Sequence, residues 1–182
     1  MSRRNKKEPL KIRKKNESII LILKLLIGVI AVFSFIHSLR EFNNFTIISF
    51  KILIFMFFLS GILITSIFYI FRTNKTEKKL TLYDFYALRT LTFGSIFCAI
   101  FFLTNDYFST DKEYIINSFI FEKHKAYRNS PNSIITQIKG VEREINIHDY
   151  NFDELKNFNN IEIKMKNGFW GFQIIKEIKL KK

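Results

Sequence analysis

The chain has 182 residues, room for one soluble domain or for a few membrane spans with a small domain attached. Hydrophobic residues make up 48%, with 22 Phe among them, yet 25% are charged and the mean hydropathy is only +0.06, so apolar and charged residues are segregated along the chain. A single cysteine, Cys98, excludes an intramolecular disulfide and a cysteine-built zinc cluster, and its apolar surroundings point to a buried, inert thiol.

Residues 1–17 form a basic tail in which Arg3, Arg4, Lys6, Lys7, Lys11, Arg13, Lys14 and Lys15 face only Glu8 and Glu17. The first apolar run follows, residues 18–39. As a helix rising about 1.5 Å per residue it covers the roughly 30 Å hydrocarbon core of a bilayer. Lys24 and His37 interrupt it near opposite ends, where a long side chain snorkels to the headgroups at small cost. A cleaved signal peptide is the competing reading, but the run exceeds a usual signal core and only Val32-Phe33-Ser34 offers a cleavage pattern. A signal anchor is favoured.

The second run, residues 47–71, carries one charge, Lys51, a turn from its start. An all-round apolar helix of this length reads as a span rather than a soluble core helix. The third, residues 86–104, is diluted by Arg89 and several hydroxyl residues. Thr81-Leu-Tyr-Asp84 has capping-box spacing and predicts a start near Leu82. Aromatic belts are then expected at Tyr83, Phe85 and Tyr86 and at Tyr107 and Phe108. Gly94, Ser95, Cys98 and Ala99, with Gly61 and Thr65 on the second span, are spaced for close packing within a three-helix bundle.

Basic residues set orientation. The tail is rich in them, and the loop at residues 40–46 holds one, Arg40. The loop at residues 72–85 holds Arg72, Lys75, Lys78 and Lys79, and after the third span Lys112 stands among Asp106, Asp111 and Glu113. This alternation predicts a cytoplasmic N-terminus and, after three spans, an extracytoplasmic domain over residues 105–182. That segment has 13 basic and 11 acidic residues, a net +2 that argues against nucleic acid as its ligand.

Within it, period-two alternation predicts mainly antiparallel β structure, an α+β module. Residues 113–127 admit a helix opened by Thr110-Asp-Lys-Glu113, but β-branched and aromatic enrichment favours a strand. Ile134, Thr136 and Ile138 pair across Lys139-Gly140 with Val141, Arg143, Ile145 and Ile147 as a hairpin. Asn151 caps a short helix over residues 151–158. Ile161, Ile163 and Met165 lead into Asn167-Gly168, read as a hairpin turn that uses positive φ. The next strand is expected to align Trp170, Phe172, Ile174, Ile178 and Leu180, with Lys176 as the exception. The edges of this sheet, particularly the hairpin over residues 161–180, are expected to offer backbone groups for strand addition. A domain of this size has a thin core, so docking on the membrane or a partner would help stabilise it.

No catalytic signature emerges. His124 and His148 are 24 residues apart without HxxxH, HExxH or cysteine partners, and no GxSxG, Walker or GxGxxG pattern exists. No metal or other cofactor is expected, and the chain is not expected to be an enzyme. Gly168, Trp170 and Phe172 form the candidate partner-binding patch, an aromatic group at a hairpin base suited to lipid headgroups or a protein. The expected function is a membrane-anchored accessory or binding subunit in the cell membrane, whose partners are the bilayer and another membrane or extracytoplasmic protein. The alternatives are an immunity-type protein that neutralises a toxin at the membrane, and a small membrane enzyme or transporter component.

Overall fold

The computed structural model describes residues 10–71, 81–110, 112–127, 131–147 and 151–182, with side chains from Ser18 onward. Three helices come first: α1 (Leu10–Asn44), α2 (Phe50–Ile70) and α3 (Leu82–Tyr107), all long and apolar enough to cross a membrane. The Ser49 hydroxyl accepts the Ile52 N–H at 3.4 Å and opens α2. The Thr81 hydroxyl accepts the Asp84 N–H at 3.2 Å and donates to the Asp84 carboxylate at 2.6 Å, so the expected cap does start α3 at Leu82.

Helix α3 packs against both α1 and α2, which hardly meet each other. Small residues make the α2–α3 contact close. A Cβ on Gly61 would stand 2.5 Å from the Thr90 carbonyl oxygen, and one on Gly94 would stand 2.6 Å from that of Phe57. Ser95, Cys98 and Ala99 are buried on α3, and Ser60 and Thr65 on α2, as expected of packing within the bundle. Arg89 lies with its guanidinium 4.7 Å from the Phe85 ring centre and 5.4 Å from that of Phe68, so aromatic faces receive its charge.

Six antiparallel strands make one sheet in the order β1-β6-β5-β2-β3-β4, curled into a nearly closed barrel. They are β1 (Thr46–Ile47), β2 (Glu113–His124), β3 (Asn132–Ile138), β4 (Val141–Ile147), β5 (Asn160–Asn167) and β6 (Gln173–Lys181), with a one-turn helix α4 (Phe152–Leu155) between β4 and β5. Strand β2 drives the curl. Its first part pairs with β5, and beyond a bulge between Ile120 and Glu122 its second part pairs with β3. Inside lie Ile134, Ile138, Ile145, Ile147, Leu155, Ile161, Ile163, Met165 and Ile175. The Thr136 hydroxyl, fully buried at the bend, reaches the Phe119 carbonyl at 2.8 Å and the Ser118 hydroxyl at 2.9 Å.

Several expectations need correction. Residues 46 and 47, expected at the loop and the start of the second span, form β1 and pair with Ile174 and Gln173 of β6. The sheet therefore takes a strand from between the first two helices. Strand β5 is interior, flanked by β2 and β6, so the outer positions belong to β4 and to β1 beside β6. Residue 176 is the extra residue of a bulge in β6: Met165 pairs with Ile175 and Lys164 with Glu177. That bulge brings Ile175 into the barrel-interior cluster beside Ile178 and Leu180, while Ile174 is also buried but outside that cluster. The short helix after Asn151 ends at Leu155, and its capping Glu154 carboxylate accepts the Asn151 N–H at 3.1 Å. The Lys139-Gly140 turn is as expected, with φ of 48° and 83°, the geometry that joins two strands by two residues.

Candidate functional site at the helix–sheet junction

The connection between β5 and β6, residues 168–172, lies against the last turns of α3. Asn105, fully buried, holds it. Its side-chain oxygen accepts the Trp170 N–H at 3.0 Å, its side-chain nitrogen donates to the Phe172 carbonyl at 3.2 Å, and its own carbonyl accepts the Phe169 N–H at 3.0 Å. The Gly168 N–H reaches the Phe172 carbonyl and the Gly171 N–H reaches the Gly168 carbonyl, both at 3.0 Å. Gly168 is required for a reason the sequence did not suggest. Positive φ falls on Gly171, at 84°, whereas a Cβ on Gly168 would overlap the Asn105 amide and the Phe172 carbonyl oxygen.

Trp170 and Phe172 are not strand residues. The Trp170 ring stacks over Phe101 with centres 6.3 Å apart, and its indole N–H donates to the Thr104 hydroxyl at 2.9 Å. Phe172 meets Phe101 edge-on at 5.5 Å and packs on the cluster of Ile48, Leu53, Cys98, Phe101 and Phe102. Gly168, Trp170 and Phe172 thus meet in one place, and what they meet is the third helix of their own chain. Around them Tyr107, Phe108, Phe169 and Trp170 form a continuous run of rings with centres 4.9 to 5.7 Å apart, each more than half exposed.

Two polar contacts complete the junction. Lys166 and Lys176 reach the Asp106 carboxylate at 2.8 and 3.1 Å, so the bulge that ejects Lys176 from the core gives it a partner at the end of α3. Arg143, on the inward row of β4, donates to the Phe42 carbonyl at 2.6 Å and to the Thr46 carbonyl, with its guanidinium 4.5 Å from the Phe42 ring centre. Phe42 lies in the last turn of α1, where free carbonyls attract a cation. Arg143 thereby ties the far edge of the sheet to the α1–β1 corner and nearly closes the barrel. Burial pushes its guanidinium below its ordinary value. The visible sequence signal was a charge in an otherwise apolar inward row; Asn105 gave no signal of its own.

A second surface lies on the outer side of β2. Ile115, Phe119 and Phe121 stand there 58%, 70% and 61% exposed, in the register opposite to the inward Tyr114, Ile116 and Ile120. Beside them Phe121, Glu122, Ile135, Gln137 and Glu142 line a shallow hollow of about 260 Å³. His124 lies at the end of this face, its Nε2 at 3.2 Å from Glu122 and its Nδ1 at 3.7 Å from Glu144, which also accepts the Ser133 hydroxyl at 2.6 Å. These groups are solvated, and among the described residues no three His, Cys, Asp or Glu side chains converge as metal ligands. His148 lies outside the described residues. No protein-family model, curated protein or solved structure matches the chain.

Proposed function

We propose that the protein is a membrane-anchored accessory or binding subunit, held in the cell membrane by α1–α3 with its basic tail in the cytoplasm. Its sheet then lies outside the cytoplasm and offers the outer face of β2 to a partner protein. Support for the membrane comes from the helices. Within Ser18–Asn44, the most apolar 18-residue stretch is only 6% buried, leaving a surface that lipid covers and water does not. Three antiparallel spans also require the α1–α2 connection and the end of α3 to share a side, and both end at the sheet.

The observation that carries the partner reading is the Ile115–Phe119–Phe121 row. The inward residues of β2 already supply the core, so this outer row is apolar surface in excess of what folding uses. At its Phe121 end, with Glu122 and Glu142 beside it, the face suits a partner that presents an apolar knob bordered by basic residues. A photo-crosslinking residue at position 119, in native membranes, is expected to trap one protein in stoichiometric amount, and Phe119→Asp to abolish copurification while membrane insertion is retained. Wild-type protein that purifies alone and crosslinks to nothing would overturn the proposal.

A further inference from the structure

The β5–β6 turn combines two properties. Its side chains Phe169 and Trp170 are more than half exposed, yet the backbone N–H groups of residues 168, 169, 170 and 171 all have acceptors within the protein. A turn facing water has no need of this, because water satisfies exposed amides. A turn facing hydrocarbon does need it, because lipid offers no acceptor and an orphaned backbone group is strongly disfavoured there. The buried Asn105, which meets three backbone groups of the turn, is the device that provides it.

Depth points the same way. Trp170 contacts Phe101 and Thr104, about one helical turn further into α3 than Asp106. Its indole N–H is satisfied by Thr104, whose hydroxyl in turn donates to the Ile100 carbonyl at 2.8 Å. The rings of Tyr107, Phe108, Phe169 and Trp170 continue the apolar surface of α3 without a break. Aromatic side chains of this kind gather where acyl chains meet headgroups.

We infer that residues 168–172 form an inserted membrane anchor, seated at the boundary of acyl chains and headgroups, with Phe169 and Trp170 facing lipid. The inference rests on the membrane reading above and adds a second attachment, formed by the sheet itself. Anchored at both β1 and this turn, the sheet holds a fixed tilt on the bilayer, and the outer face of β2 is presented at a fixed height.

Trp170 is the single tryptophan of the chain, so its fluorescence reports the turn alone. The full chain would be reconstituted in phosphatidylcholine vesicles brominated either near the glycerol end or near the terminal methyl of the acyl chains. Shallow bromines are expected to quench Trp170 roughly twofold more than deep ones, and aqueous iodide to quench it weakly. The paired variant F169W/W170F moves the probe one position and is expected to behave alike. Protein that resists carbonate washing but is quenched by iodide and by neither lipid overturns the anchor and leaves the membrane reading standing. Protein released by carbonate overturns both.

Discussion

Asn105 satisfies a turn 65 residues away in sequence, and the cost of disturbing it is readable from Gly168. Gly168→Ala places a methyl group in the space of the Asn105 amide, a small-to-large change of the kind that costs about 1–3 kcal/mol. The expected outcome is a lower unfolding midpoint in detergent, followed through Trp170 emission. Gly171→Ala meets open space and suffers only the cost of positive φ, about 1–2 kcal/mol. Thr65 gives the opposite sign. Its hydroxyl is fully buried on α2 with no hydrogen-bond partner among the described residues, so Thr65→Val removes an unsatisfied group at nearly constant volume. That variant is expected to match or exceed wild type in the same melt, and a clear loss would reveal a partner for the hydroxyl.

At the level of elements, Arg143 holds β4 to the α1–β1 corner. Arg143→Met keeps the apolar stem and loses two charge-assisted bonds, each worth about 1.5–3 kcal/mol. Backbone hydrogen exchange in β4 is expected to accelerate strongly, while the amides of β5, paired on both sides, stay protected. Uniform acceleration across the sheet would show that the edge does not open separately. Elements written in local pattern were legible: the Thr81 cap, the Lys139-Gly140 turn and the alternation of β3, β4 and β5 all lie in windows of a few residues. What was not legible depends on distant pairing. Strand β1 is two residues long and sits beside a span whose apolar run masks it. The bulge at Lys176 becomes visible only once β6 is laid against β5 and Asp106 is seen to wait for the ejected lysine.

For the whole molecule, the contacts that join the helices to the sheet include β1 on β6, Asn105 and Phe101 under the β5–β6 turn, Asp106 with Lys166 and Lys176, and Arg143 on the α1 terminus. The candidate patch at Gly168, Trp170 and Phe172 was found by its aromatic composition, but its counterpart on α3 lies outside any local window, so a surface patch and an internal dock looked alike in sequence. The outer row of β2 was hidden for another reason: Tyr114 to Phe121 is apolar on both faces, and alternation does not say which face is covered. Three helices with α1 and α2 on either side of α3 place the sheet at one end of the bundle. Under the proposed orientation, the basic residues before α1 and before α3 mark the cytoplasmic side, and the sheet belongs to the opposite side. The most direct test fuses a reporter active only in the cytoplasm after Lys182 and, separately, before Met1. The account predicts an active N-terminal fusion and an inactive C-terminal one; activity at both ends would contradict three spans and remove the sheet from the outer side of the membrane.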